Sequence, residues 1–160
     1  MDLSFTIRDW SARHFIGMSM QNSIAQNKTV ELWSSFMPRK RELESISSDL
    51  FAIQSYSKGH FQKSFDPHSE FTIMAMIEVL AGHVLPNGMK SLIIPKGSYA
   101  VFNYKGKAAD FAQMAMAIYG KVIPESKHQI AERPHFQIMG PKYFGPDNPA
   151  SEEEIWVPVD

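Results

Sequence analysis

Alternating apolar side chains predict strands in the first half of the chain. Residues 71–79 are the clearest case, because one side would carry Phe71, Ile73, Ala75 and Ile77 and the other Thr72, Met74, Met76 and Glu78. Successive side chains of a strand point to opposite faces of a sheet. Similar patterns predict strands over residues 13–21 and 50–56.

The second half has the same kind of pattern. Residues 92–104 predict a strand or a hairpin bent at residues 95–97, and residues 155–159 predict a last strand. Between them, residues 133–140 place Phe136 and Ile138 on one face and the amide of Gln137 on the other. A buried amide needs hydrogen-bond partners, which protein, water or a ligand can supply.

Two segments have helical periodicity instead. A helix is predicted from Thr29, with its apolar side formed by Leu32, Trp33, Phe36 and Met37. The second helix has its apolar positions at i, i+3, i+4, i+7 and i+8, namely Phe111, Met114, Ala115, Ile118 and Tyr119. We expect Gly120 and Pro124 to end it. Residues 1–11 are expected to be a leader docked by Trp10, and the polar loop 57–70 is long enough to border a site.

The order of elements indicates a duplication. Each half is predicted as strand, helix, strand, strand, and Phe51–Ala52–Ile53 occupies the same place in the first half as Phe136–Gln137–Ile138 in the second. Two βαββ units bury their open faces by packing around a pseudo-twofold axis. We therefore predict one α+β domain over residues 1–160, with pseudo-repeats at about 12–81 and 89–160, an antiparallel sheet, and a ligand cleft between the halves.

Composition removes several classes of function. The 160 residues have a formal net charge of −1 and no basic stripe, so direct nucleic-acid binding is not expected. There is no cysteine, and the six histidines form no close helical pair, so neither a metal site nor a disulfide is predicted. No nucleotide or cofactor motif is present, and no cofactor is expected. The chain starts unlike a signal peptide and has no membrane-length apolar run, so we expect a cytoplasmic protein without membrane contact.

Five short motifs, in this order and spacing, carry a family resemblance: LWSSF (32–36), IPKGSYAVF (94–102), PES (124–126), PHFQ (134–137) and EEEIWVPV (152–159). With them the chain resembles the GyrI-like effector-binding domains from about residue 12 to its end. That family includes the ligand-binding halves of multidrug-responsive, AraC-associated bacterial transcription activators, stand-alone proteins, and integron-associated binders of cationic drugs. The resemblance implies the SHS2-like form of the duplicated fold.

The resemblance also implies a set of pocket residues. Its aromatic lining corresponds here to Trp33, Phe36, Tyr56, Tyr99 and Trp156. Relatives commonly have a buried glutamate at the position that Gln137 holds in this chain, so the preference for a cation is expected to fall. Glu78 matches an acidic position of stand-alone members and offers an alternative carboxylate. Helical spacing alone favours Trp33 and Phe36 as core residues, and the resemblance makes the core and pocket interpretations about equal. Gln137 can likewise be a structural amide that satisfies a neighbouring backbone group.

Three hypotheses follow. The first is a stand-alone effector-binding protein without a DNA-binding domain, which binds small organic ligands, cationic or aromatic, in a cleft lined by the residues named above. The second is a hydrolase acting on reactive electrophiles with Glu78 and Tyr99, because Gln137 cannot act as a general base. The third is an interaction protein that binds gyrase or serves a separately encoded regulator. The sequence leaves the ligand and the oligomeric state open.

Overall fold

One eight-stranded antiparallel sheet organises the chain in the computed structural model, which describes residues 1–160. In spatial order its strands run β1-β6-β8-β7-β3-β4-β2-β5. The strand bounds are β1 Thr6–Trp10, β2 Arg13–Asn22, β3 Leu50–Ser55, β4 Phe71–Val79, β5 Lys90–Ile94, β6 Gly97–Lys105, β7 His135–Met139 and β8 Glu152–Val159. No helix is both long enough and apolar enough to cross a membrane.

The strand order confirms the duplicated α+β fold. The three strands of one unit, β3-β4-β2, mirror those of the other, β7-β8-β6, across the central β3–β7 pair. At this pair Phe51 lies opposite Ile138, and Ile53 lies opposite Phe136. The two similar tripeptides therefore lie against each other at the pseudo-twofold axis.

Both outer strands are exchanged between the units. β1 precedes the first unit but pairs with β6 of the second, whereas β5 precedes the second unit but pairs with β2 of the first. The hairpin considered for residues 92–104 is therefore wrong, because β5 and β6 pair with different neighbours. The leader is ordered, and its Trp10 is docked with only 3% of its surface exposed.

The two helices begin where the spacing predicts. Helix α1 spans Thr29–Phe36, and just before it the Asn27 carboxamide oxygen accepts a hydrogen bond from the Thr29 amide. The 3₁₀ turn Met37–Glu42 follows α1, with Pro38 near its start. An ion pair between Arg39 and Glu42, with Nε and Oε2 2.7 Å apart, stabilises this turn. Helix α2 spans Phe111–Ala117.

Gly120 does not end the second helical run. After α2 the chain continues through a π-helical turn, Ile118–Val122, and a last helical turn, Ile123–Glu125. The missing side chain of Gly120 leaves the backbone hydrogen bonding intact, and Pro124 sits in a first turn, where its missing N–H is tolerated.

Gly17 is the glycine on which the sheet depends most directly. β2 pairs with β4 along its length and with β5 over its first half. A Cβ added at Gly17 would overlap the backbone of Ala75 and Met76 on β4. The close pairing of β2 with β4 therefore requires glycine at this position.

The sheet divides the core into two faces. On one, the helical face, α1 covers β2 and β4 with Leu32 and Phe36, and the helical run of α2 covers β6 and β8 with Met114 and Ile118. On the other, the inner face, the two units share one cluster, comprising Trp10, Phe15, Phe51, Ile53, Met74, Met76, Ile94, Tyr99, Val101, Phe136 and Trp156.

Candidate functional site

A groove runs along the helical face between the two helices. α1 packs over one unit and α2 over the other, so the central strands β3 and β7 form the floor between them. The alternation of these strands presents Ala52, Gln54, His135 and Gln137 to the groove, and three of these four are only partly buried. The groove therefore lies at the join between the two repeats, where ligand sites are favoured.

Two amides face each other at the middle of the floor. Gln54 Nε2 donates a long hydrogen bond of 3.4 Å to Gln137 Oε1 and lies 3.4 Å from the Ala52 carbonyl oxygen. No acceptor within the chain takes a hydrogen bond from the Gln137 amide nitrogen. The groove thus offers a polar donor that a ligand acceptor can use.

Four aromatic side chains form a box at one end of the groove: Tyr56, Phe71, Tyr119 and His135. The Tyr56 ring centroid lies 4.8 Å from that of His135 and 5.0 Å from that of Phe71, and the Tyr119 hydroxyl is 2.8 Å from His135 Nδ1. We call these four residues the aromatic box. Spacings of 4.5–7 Å are those of favourable aromatic pairs.

A fifth ring, that of Phe61, fills the box. Phe61 belongs to the 3₁₀ turn His60–Gln62 in the loop that follows β3. Its ring stacks on Tyr119 at 5.1 Å with an interplanar angle of 14°, and on His135 at 5.1 Å with an angle of 26°. The cavity beside it measures about 30 Å³, which is room for about one water molecule. This end of the groove is therefore closed by the chain's own phenyl ring.

The box carries no charge at neutral pH. Burial, followed by the neighbouring His60, lowers the pKa of His135 to about 3, so its imidazole is neutral. Burial also raises the pKa values of the Tyr56 and Tyr119 hydroxyls. The contacts within the box are therefore ring–ring packing contacts and not ion pairs.

The residues predicted for the pocket fall on both faces of the sheet. Tyr56 belongs to the aromatic box, and Gln137 lies on the groove floor. Trp33 is partly buried on α1, and its ring lies 6.0 Å from that of Phe36 in a T-shaped pair. Phe36 is fully buried in the core, as its helical spacing allowed.

The other three predicted residues lie on the inner face. Tyr99 is fully buried, and its hydroxyl donates a hydrogen bond of 2.8 Å to the Pro134 carbonyl. Trp156 is buried and donates from Nε1 to Glu154, and Glu78 lies 3.7 Å from Arg13. The structure therefore does not bring all seven residues together, and Glu78 cannot replace a carboxylate at position 137, since the sheet separates them.

Several groove residues were not singled out from the sequence. His135 could have been found, because it shares a strand face with Gln137 at a spacing of two. Gln54 could have been found in the same way, because it lies two residues before the predicted Tyr56 along the first unit's central strand. Phe61 and Tyr119 carry no such signal, because their approach to the box depends on how the loop and the π-helical turn fold.

Known proteins similar to this chain agree with the fold. The sequence model of the GyrI-like small-molecule-binding domain matches residues 3–160. The transcriptional regulator BrlR of Pseudomonas aeruginosa is 28% identical over 149 residues, which are 90% of this chain and 51% of BrlR. The chain thus spans about half the length of this relative.

Two solved structures share the architecture at low sequence identity. The structure of SAV2435 bound to tetraphenylphosphonium has a TM-score of 0.70 and 12% identity, covering 99% of this chain and 94% of the other. An integron cassette protein from the mobile metagenome of Vibrio cholerae has a TM-score of 0.68 and 16% identity, covering 99% and 97%. At this identity the two matches establish the common fold.

Proposed function

Because this chain belongs to the GyrI-like small-molecule-binding domain family, we propose that it binds a small organic ligand with at least one aromatic ring in the groove between α1 and α2. The observation that carries the proposal is the filled aromatic box. A phenyl ring already fits between Tyr56, Tyr119 and His135, so the chain contains a preformed site for a ring.

Phe61 acts in this proposal as a stand-in for the ligand. Its loop has few distant anchors: the backbone hydrogen bonds at His60, Gln62 and Ser69 stay within the loop, and the Ala25 amide donates to Pro67. The rings around Phe61 remain packed through their own contacts. A ligand ring can therefore replace Phe61 without disturbing the sheet, and binding begins with displacement of the 3₁₀ turn.

The groove floor adds polar selectivity. The free amide donor of Gln137 can hold a ligand oxygen or nitrogen, and the weak Gln54–Gln137 hydrogen bond can be exchanged for one to the ligand. The proposed ligands include aromatic cations, since the similarly folded SAV2435 was solved with tetraphenylphosphonium. The role proposed for this binding is that of an effector input to transcription, in line with the regulator BrlR.

No feature of the structure favours the hydrolase hypothesis. Tyr99 is fully buried and uses its hydroxyl on Pro134, and Glu78 lies beside Arg13. Both side chains face away from the groove. A general base must reach the proton that it abstracts.

Calorimetric titration with tetraphenylphosphonium and with the neutral triphenylphosphine oxide tests the proposal. We expect at least one probe to bind, and Tyr119→Ala to weaken it about tenfold, because one ring contact of the box is lost. Phe144→Ala is the matched control, since Phe144 is exposed on another loop. Absence of binding for both probes, or binding that Tyr56→Ala and Tyr119→Ala leave unchanged, would refute the site.

A further inference from the structure

The hydrogen bond between Tyr119 and His135 fixes which nitrogen of the neutral His135 imidazole carries the proton. The Tyr119 hydroxyl lies 2.8 Å from His135 Nδ1 and has no other partner within the chain. If the hydroxyl donates to Nδ1, only the N–H at Nε2 lacks a partner. If Nδ1 donates instead, the hydroxyl proton and Nε2 both lack one. The first arrangement leaves fewer polar groups unpaired, so the proton lies on Nε2.

His135 Nε2 borders the cavity beside Phe61. It forms no hydrogen bond within the chain, yet the only fully enclosed side-chain atoms without a partner are Trp10 Nε1 and Arg133 Nε. Nε2 is therefore accessible, although His135 as a whole is only 2% exposed. Since His135 lines the cavity of about 30 Å³, this nitrogen directs an N–H donor into it.

Tyr56 brings a second polar group to the same cavity. Its side chain lines the cavity, and its hydroxyl is neither hydrogen-bonded within the chain nor fully enclosed. Burial raises the pKa of this hydroxyl, so it stays protonated at neutral pH. A tyrosine hydroxyl can accept a hydrogen bond as well as donate one. The cavity therefore has a donor in His135 and an acceptor in Tyr56.

The cavity has no net charge. The two charged side chains that line it, Glu132 and Arg133, have opposite signs. His60 also lines it, and burial, followed by the nearby Lys63, lowers the pKa of this imidazole, so His60 is neutral at pH 7. A small neutral group with one donor and one acceptor fits these surroundings better than an ion does.

The position of the cavity relative to the aromatic box indicates where such a group belongs on a ligand. The Phe61 ring lies 4.8 Å from the Tyr56 ring and 5.1 Å from the His135 ring, and it lines the cavity itself. A ring that replaces Phe61 thus lies beside the cavity. The volume of about one water molecule accommodates a hydroxyl substituent on that ring.

We propose that the aromatic box and this cavity form a subsite for a phenol, whose ring replaces that of Phe61 and whose hydroxyl accepts from His135 Nε2 and donates to Tyr56. This inference rests on the ligand-binding function proposed above and specifies the substituent of the bound ring. Tyr119 is a positioning residue in this subsite, because its hydrogen bond to Nδ1 keeps the His135 proton on Nε2.

Fluorescence titration with β-naphthol and naphthalene tests the subsite, since the two probes differ by one hydroxyl. The native chain should bind β-naphthol about tenfold more tightly, because only its hydroxyl satisfies the buried donor. His135→Phe keeps a ring in the box and removes the N–H, so the two dissociation constants should come within about twofold. His68→Phe, at an exposed histidine, is the matched control and should keep the tenfold preference.

Nitrogen NMR of the His135 ring tests the donor without any ligand. The native chain should show the tautomer protonated at Nε2. Tyr119→Phe keeps the ring but removes the hydroxyl, so it should give a mixture of both tautomers and reduce the preference for β-naphthol about twofold to threefold. A native His135 protonated at Nδ1 would overturn the proposal.

The phenol subsite and the proposed function fail in different ways. If the native chain binds neither naphthalene compound, nor tetraphenylphosphonium, nor triphenylphosphine oxide, the proposed function is wrong. If the native chain binds β-naphthol and naphthalene equally, or folded His135→Phe keeps the preference, only the phenol subsite is refuted. Circular dichroism shows which variants are folded. The native chain and Tyr119→Phe decide the question if His135→Phe does not fold.

Discussion

The inner face and the groove of the helical face are both rich in aromatic rings, but they differ in what else they contain. On the inner face, Phe136 packs 4.7 Å from Trp10 and 5.3 Å from Trp156, and all three are nearly inaccessible to solvent. In the groove, rings alternate with partly buried polar groups, among them Gln54, Gln137 and Glu153.

This difference separates a core from a candidate site. At the edge of the inner face, the guanidinium groups of Arg8 and Arg13 lie 4.7 Å and 4.1 Å from the rings of Trp156 and Trp10. These two arginine side chains therefore occupy the cation-binding faces of the rings at this edge. The groove keeps an amide donor and a carboxylate that are partly exposed and without partners, whereas the unpaired indole nitrogen of Trp10 on the inner face is buried. Aromatic content alone therefore does not distinguish the groove, but accessible unpaired polar groups do.

The largest expected effect is the loss of stability on truncating the inner face. Phe136→Ala should lower the free energy of unfolding by about 3–5 kcal/mol, because it opens a cavity among four aromatic neighbours. Urea unfolding measures this change. Phe65→Ala, at a phenylalanine that is 78% exposed, is the control and should change stability by less than about 0.5 kcal/mol. A small loss at Phe136 would mean that the inner face is not the main core.

The second prediction concerns opposite pH dependences within the groove. His135 has a folded pKa of about 3 against 6.5 in the unfolded chain, so its contribution to stability is present above pH 6.5 and is lost as pH falls toward 3. Glu153 has a folded pKa of about 7 against 4.5, so its contribution is present below pH 4.5 and is lost as pH rises through 7. Between pH 4.5 and 6.5 the two contributions partly cancel.

Replacing either His135 or Glu153 should reveal the pH dependence of stability that the other contributes. Glu153→Gln should make the loss of stability between pH 6.5 and 4.5 steeper, approaching the limit of about 1.4 kcal/mol per pH unit for one proton. His135→Phe should make it shallower or reverse its sign. Urea unfolding across this pH range measures both slopes, and His68→Gln, at an exposed histidine, is the control. Parallel slopes in all four proteins would show that neither group titrates as its burial implies.

Local patterns were sufficient to predict the units of the fold but not how the units exchange strands. The alternation that sets Phe136 and Gln137 on opposite faces is present in the sheet, as are the two helices and the order strand, helix, strand, strand. The exchange of the edge strands β1 and β5 between the two units was not predicted. The pairing of Thr6–Trp10 with β6, for example, joins segments far apart in sequence. Periodicity contains no information about such pairing.

The site was predicted less completely, for a related reason. Tyr56 and Gln137 were named, but they were grouped with Glu78, Tyr99 and Trp156, which the alternation of their own strands places on the inner face. The alternation along β8 would also have predicted that Glu153 and Glu154 lie on opposite faces of the sheet. The position of Phe61 could not be deduced, because a loop ring in a box depends on tertiary contacts.

The smallest expected effect is a gain in ligand affinity on removing the Phe61 ring. It tests the groove most directly, because loss of a ring increases affinity only if that ring occupies the ligand's place. Phe61→Ala frees the aromatic box, so a ligand ring no longer competes with a phenyl ring, whose contacts are each worth about 0.5–1.5 kcal/mol. We expect tetraphenylphosphonium to bind several-fold to about tenfold more tightly, by calorimetry. Phe65→Ala lies in the same loop with an exposed ring and should leave the affinity unchanged. If Phe61→Ala instead weakens binding, Phe61 is part of the ligand contact surface rather than its competitor, and the groove differs from the inner face only in its polar groups.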